Sequence, residues 1–213
     1  MAKIRAAGDS GASDRIRKAA IKLFKTHGYR GTPVRALADV VKIEAGSLYH
    51  HFPSKQQILF DNFERTMDDL LGGLQSAVVN EPTPAGCLRA AVRFHVLFHT
   101  KRQSEAFISH TEIRALTGEN RRRVLLKRDR YEKKFCELLE AGVEAGAFHV
   151  ADVRLTNIAL LTMCSCVADW FSEKGKLTGE AVAERYVEMA LKLVGYSDRA
   201  APRTKRRSRR GLA

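Results

Sequence analysis

With 213 residues, 45% of them hydrophobic, the chain can bury a substantial core, which excludes a wholly disordered protein. A formal charge of +13 and a pI near 9.9 make a polyanion the first partner to consider, and no apolar run is long enough for a membrane span or a signal-peptide core. The four cysteines form no compact disulfide framework, and Cys164 and Cys166, two apart on a helix, point in different directions, so a reducing cytoplasm is the expected location.

Positive charge gathers at the ends. Residues 1–52 hold ten Lys or Arg against four acids, and residues 199–213 hold seven and none. Residues 1–12 read as a flexible basic arm. Ser13 is a candidate cap for a helix with Ile16, Ala20, Leu23 and Phe24 on one face, ending at His27 and Gly28. Thr32 and Pro33 predict a second start, with Thr32 as cap, and Val34, Leu37, Ala38 and Val41 form that helix's apolar face. After a break at Lys42 and Ile43, Glu44 opens a short third helix in which Ala45, Leu48 and Phe52 face inward. Three short helices within residues 13–53 outline a helix-turn-helix domain.

Pro53 ends that unit, and Ser54 to Gln57 spell a capping box for a connecting helix over 54–75. Beyond Glu81 to Pro84, residues 76–198 read as five helices: 85–99, 105–116, 119–145, 153–172 and 178–194, with glycines near several ends. Strand-like alternation is absent, so the fold class is all-α. The tail 199–213 is basic and expected to be disordered, raising nonspecific DNA affinity without choosing a site.

The third helix decides the functional reading. It would expose Gly46, Ser47, His50 and part of Tyr49, a surface narrow enough for a major groove. Thr32, Arg35 and Lys55 stand where helix starts favour a phosphate. On spacing and charge alone two readings stay open, a DNA-reading head and a solvated helical hairpin.

The run 37–55, Leu-Ala-Asp-Val-Val-Lys-Ile-Glu-Ala-Gly-Ser-Leu-Tyr-His-His-Phe-Pro-Ser-Lys, closely resembles the DNA-binding signature of the TetR family of repressors, as does 21–32, Ile-Lys-Leu-Phe-Lys-Thr-His-Gly-Tyr-Arg-Gly-Thr. The resemblance implies a dimer that binds a double-stranded, palindromic operator. It puts phosphate contacts at Thr32, Tyr49, His50 and Lys55, and base-edge contacts among Glu44, Ala45, Gly46 and Ser47. Two positions depart from the family pattern: Lys42 stands where a glycine is common, and Glu44 where a serine or threonine cap is common. Lysine accepts a left-handed turn less readily than glycine, so the turn either carries about 1 kcal/mol of strain or uses another conformation.

Two stripes predict a homodimer through the last two helices: Ile158, Leu161, Thr162, Ser165 and Ala168 on one, and Val182, Tyr186, Met189 and Leu193 on the other. An effector cavity between helices would draw its lining from Phe94, His95, Phe98, Phe107, His110, Met163 and Trp170, although for each of them ordinary core packing is an equally open reading. His95 and His99, four apart, lack a third ligand, so neither a metal site nor a bound cofactor is expected.

The stretches 110–116, 120–124 and 127–132, with Asp-Trp-Phe at 169–171, Gly-Lys-Leu-Thr at 175–178 and Tyr-Val-Glu-Met at 186–189, resemble the acyl-coenzyme-A-responsive branch of the family, which controls fatty-acid and steroid degradation. That resemblance implies a lipid-derived acyl-CoA effector, with Arg121, Arg122 or Arg123 available to its phosphates; read on its own, the arginine run is also an ordinary solvated helix face. A repressor that responds to another hydrophobic compound, or an architectural DNA-binding protein, would use the same head. Ser104, His110 and Asp129 include acid–base types, but their spacing establishes no nucleophile with its base, so enzymatic activity is not expected.

Overall fold

The computed structural model describes residues 7–197, with side chains from residue 11 onward, and is all-α. The basic tail lies outside the described residues, as does the first half of the arm. Helix α1 runs Ala7–Gly31, so it begins inside the expected arm and not at Ser13. Extending an existing helix adds one hydrogen bond per residue fixed, which makes such an extension easy once residues 16–24 are anchored. Its expected end holds: Gly28 leaves helical geometry at φ 72°, a conformation that favours glycine.

Helices α2 (Val34–Val41) and α3 (Ala45–His51) follow, joined by a tight turn. Of the two conformations open to Lys42, it adopts the left-handed one, φ 56° and ψ 51°. Its N–H donates to Asp39 O and that of Ile43 to Ala38 O, closing α2 despite the missing glycine. Ser54 accepts from Gln57 N–H at 3.1 Å and starts α4, Lys55–Val78, longer than its sequence suggested.

The rest comprises α5 (Pro84–Lys101), α6 (Gln103–Thr111), a 3-10 turn at Ile113–Ala115, α7 (Gly118–Glu144), α8 (Val153–Ser165), α9 (Val167–Trp170) and α10 (Gly179–Leu193). Thr83, Asp152 and Thr178 cap α5, α8 and α10 through their side chains. One expectation fails here: the helix foreseen over 153–172 is broken at Cys166. The Gln103 side-chain amide donates to the carbonyls of Ala168 and Phe171, and Phe171 turns extended, so a partner distant in sequence completes the break.

Two apolar clusters meet along α4. Ile58, Leu59 and Phe63 pack with Ile16, Phe24, Leu37 and Leu48, and with Ile108, Leu116 and Val124 from the second half of the chain. One turn on, Met67, Leu70 and Leu74 belong to a cluster with α5, α7, α8 and α10. Each fully buried leucine contributes about 1.5–3 kcal/mol. The head therefore rests on α6 and α7, and α4 carries side chains of both clusters.

Candidate nucleic-acid interface and sensor cavity

Leu48 anchors α3 with no exposed surface, while Gly46, Tyr49 and His50 lie open and Ala45 and Ser47 are half-buried. Arg35, Lys42 and Glu44 are exposed beside them. Leu48 and Phe52 face inward and Gly46, Tyr49 and His50 outward as expected, whereas Ala45, expected inside, and Ser47, expected outside, are alike half-buried.

Thr32 is a correction. Pro33, not Thr32, holds the cap position of α2, and Thr32 is buried with its hydroxyl 2.8 Å from Gly28 O. Lys55 is tied to the same turn: its ammonium donates to Tyr29 O at 2.8 Å and Thr32 O at 2.9 Å and lies 4.3 Å over the Tyr29 ring. Burial lowers its pKa, with Glu112 acting in the opposite sense. Two of its three hydrogens brace the turn, leaving one to point elsewhere.

The turn is also held from below. The Glu112 carboxylate, at the end of α6, accepts Tyr29 N–H at 3.1 Å, and the Gln56 amide donates to Ala115 O. Two residues before Glu112, His110 belongs to the wall of an open cavity of about 410 Å³ lined by residues of α4 to α9. Helix α6 therefore touches the cavity and the head within one turn.

Of the expected lining residues, only His95 and His110 border this space. Phe94 packs on Gly73, where a Cβ would stand 2.2 Å from its ring, so Gly73 lets α4 and α5 approach. Phe98 is core with the Arg102 guanidinium over it, Phe107 lies near the Lys25 ammonium on α1, and Met163 packs on the apolar cluster. Trp170 is exposed and stacks on Tyr186. The arginine run misses the cavity as well: Arg122 pairs with Glu119, Arg123 with Glu64, and Arg121 is exposed. The basic lining residue is Arg128, which sequence reasoning missed. The buried stripe Val124, Tyr131, Phe135 and Leu139 on α7 was the available signal, since Arg128 lies on that face.

The lining is more polar than an aromatic pocket. His95 and His99 stack at 4.1 Å, and His110 stacks on His99 at 5.8 Å. His95 Nδ1 is 2.9 Å from the Tyr131 hydroxyl, its Nε2 is 3.0 Å from Ser165 Oγ, and His99 Nδ1 donates to His95 O at 2.8 Å. Burial holds His95 far below the ordinary histidine pKa and brings His99 to about 4. His110 is lowered chiefly by burial and next by Arg128, with Asp169 opposing. Parallel rings do not converge their lone pairs on one point, and no cluster of three potential metal ligands occurs among the described residues.

Leu155 and Ile158 on α8, Trp170 on α9, and Met189 and Leu193 on α10 are exposed apolar side chains, and Ile158 also borders the cavity. The expected stripes hold only in part: Ala168 and Val182 are buried within the protomer, Leu161, Thr162 and Ser165 line the cavity, and Leu155 and Trp170 are exposed in addition. No helix among the described residues is long and apolar enough to cross a membrane.

Residues 16–61 match the family model for bacterial regulatory proteins of the tetR family, and residues 81–194 that for the tetracyclin repressor-like C-terminal domain. The HTH-type transcriptional repressor KstR2 of Rhodococcus jostii (strain RHA1) is 30% identical over 186 residues, covering 86% of this chain and 91% of that protein. The crystal structure of a tetR-family regulatory protein from Rhodococcus RHA1 superposes with a TM-score of 0.83 at 29% identity, covering 88% of this chain and 98% of that one. AibR, solved in complex with isovaleryl coenzyme A and operator DNA, gives 0.77 at 28% identity over 84% and 97% of the two chains. The chain belongs to the TetR family of bacterial regulatory proteins.

Proposed function

We propose that this chain is a dimeric repressor that holds a palindromic operator with α3 of each protomer and releases it when an acyl-CoA or related lipid-derived ligand enters the cavity. The observation that carries this reading is α6, which presents Ser109 and His110 to the cavity and Glu112 to the turn that sets α2 and α3. A ligand that displaces α6 acts on Tyr29 N–H directly. Helix α4 offers a second route, lining the cavity with Thr66, Met67 and Leu70 and bracing the head with Lys55. Preference for a released state by about 1.4 kcal/mol gives tenfold discrimination.

The coenzyme assignment draws on relatives, since AibR was crystallised with isovaleryl coenzyme A and operator DNA. The cavity volume suits the acyl portion, with the nucleotide left at the mouth. In the operator complex Tyr49, His50 and the third hydrogen of Lys55 meet phosphates, while Ala45, Gly46 and Ser47 meet base edges, with Arg35 and Lys42 adding positive charge. Thr32 positions the turn. The domains function as a head over 13–53, a connecting helix and a sensor over 76–198.

Substitutions on α3 test the DNA assignment. Tyr49→Phe is expected to weaken binding about tenfold across a library of altered operators by removing a phosphate donor, whereas Ser47→Ala changes the ranking of operators with little general loss. Quantitative titration of the library with each purified variant separates the two. Equal losses on every operator for both variants would contradict the division of roles.

A further inference from the structure

The cavity wall carries more hydrogen-bonding capacity than the fold uses. Tyr131, His95 and Ser165 form a chain through the two ring nitrogens of His95. With His95 neutral, these three groups hold three exchangeable hydrogens, and the two contacts use two of them. One hydrogen remains to donate elsewhere, whichever tautomer is present. Because the His95 carbonyl takes the Nδ1 hydrogen of His99, Nε2 of neutral His99 keeps a lone pair.

Two further groups on the wall have no partner among the described residues: the Thr66 hydroxyl, on a residue 1% exposed, and the side-chain oxygen of Asn157, on a residue 3% exposed. Burying such groups unsatisfied is costly, so each favours a ligand that supplies the missing bond. Arg128 is half-buried and forms no hydrogen bond or ion pair among the described residues. Glu132 and Asp169, both exposed, are the carboxylates among the lining residues, so Arg128 does not make the wall net positive. Plain hydrocarbon would satisfy none of these groups, and a carboxylate would meet two like charges.

We propose that the wall formed by Thr66, His95, His99, Arg128, Tyr131 and Asn157 recognises an uncharged oxygen function, a hydroxyl or a ketone, on the part of the effector that enters the cavity. This rests on the effector-responsive repressor reading and narrows it from a lipid tail to an oxygenated one.

The test uses the full chain and three eight-carbon coenzyme A thioesters, ending in methyl (octanoyl), hydroxyl (8-hydroxyoctanoyl) or carboxylate (suberyl), with free octanoate and 8-hydroxyoctanoate in parallel. Direct binding and operator release are both read. The hydroxyl-ended thioester is expected to bind about tenfold more tightly than the methyl-ended one, a difference of about 1.4 kcal/mol. Thr66→Val and Arg128→Met should each cut that ratio at least about threefold and leave octanoyl-CoA binding unchanged. Thr66→Val should also raise the melting temperature of the unliganded protein, because it removes an unpartnered buried hydroxyl at constant shape. A merely structural threonine would not combine that gain with a lost hydroxyl preference.

Equal binding of the methyl and hydroxyl forms, tightest binding of the carboxylate form, or a ratio that survives both variants would overturn the proposal. A hydroxyl preference confined to the free acids would uphold it and remove the coenzyme. Operator binding without binding of any compound would overturn it while leaving the DNA-binding reading intact, and a hydroxyl preference in a protein that binds no operator would do the reverse.

Discussion

Placing aspartate at both Leu155 and Met189 is expected to give a folded monomer whose operator affinity is about a hundredfold lower or worse. Both side chains are largely exposed in the protomer, 64% and 48%, so their replacement leaves the apolar core intact. Ile158 on α8, Trp170 on α9 and Leu193 on α10 are exposed apolar side chains as well. Exposed apolar surface is costly in water, and in the proposed dimer these side chains would be covered by a second copy about a two-fold axis. Buried in such an interface, four unpaired carboxylates across the dimer would be strongly destabilising. Each freed head then binds one half-site alone and loses the effective concentration that a partner supplies, commonly worth about 10²–10⁴ in affinity. Sedimentation, circular dichroism and operator titration check the three parts together. A variant that stays dimeric, or a monomer with undiminished affinity, would remove the α8–α10 face from the DNA-binding mechanism.

Acidification is expected to unfold the protein through its histidine stack. His99 falls from an ordinary value near 6.5 to about 4 because burial penalises its charged form. The unfolded chain therefore binds a proton that the folded one refuses over that interval. Its contribution is fully present above pH 6.5 and is lost as pH falls toward 4, by about 3 kcal/mol from His99 alone. His95 and His110 are shifted the same way and add to the loss. Surface carboxylates such as Asp14 and Glu119, lowered by Arg17 and Arg122, also favour the folded state less in acid. Comparison with His99→Phe isolates the buried ring: urea unfolding between pH 7 and 4.5 should show a shallower decline for the variant. Parallel declines for the two proteins would mean that His99 does not stay neutral in the fold.

The head was legible because its punctuation is local. Gly28, Pro33 and Ser54 mark boundaries through their own backbone or capping chemistry, and Leu37, Leu48 and Phe52 fall on the faces their spacing assigns. Thr32 was misread because a threonine before proline is a usual cap, whereas here the irregular turn at Gly28 brings a carbonyl to its hydroxyl. The break at Cys166 has no glycine or proline beside it; Gln103, more than sixty positions away, takes the carbonyls there. The cavity was harder still. Phe94 and Phe98 are the aromatic, helical residues expected around a hydrophobic ligand, yet the space at Gly73 and the guanidinium of Arg102 claim them for packing. Arg128 sits in the same basic stretch as Arg121 to Arg123, and only the buried face of α7 tells it apart.

The most direct test of a ligand-released, dimeric operator reader is footprinting of the full chain on its own upstream DNA while acyl-CoA thioesters are titrated, with ligand binding and particle mass followed in the same samples. A symmetric protected site occupied by an even number of protomers, and lost in step with ligand occupancy, is the expected result. Protection that persists at saturating bound ligand, or a stable monomer covering an asymmetric site at full affinity, would contradict it.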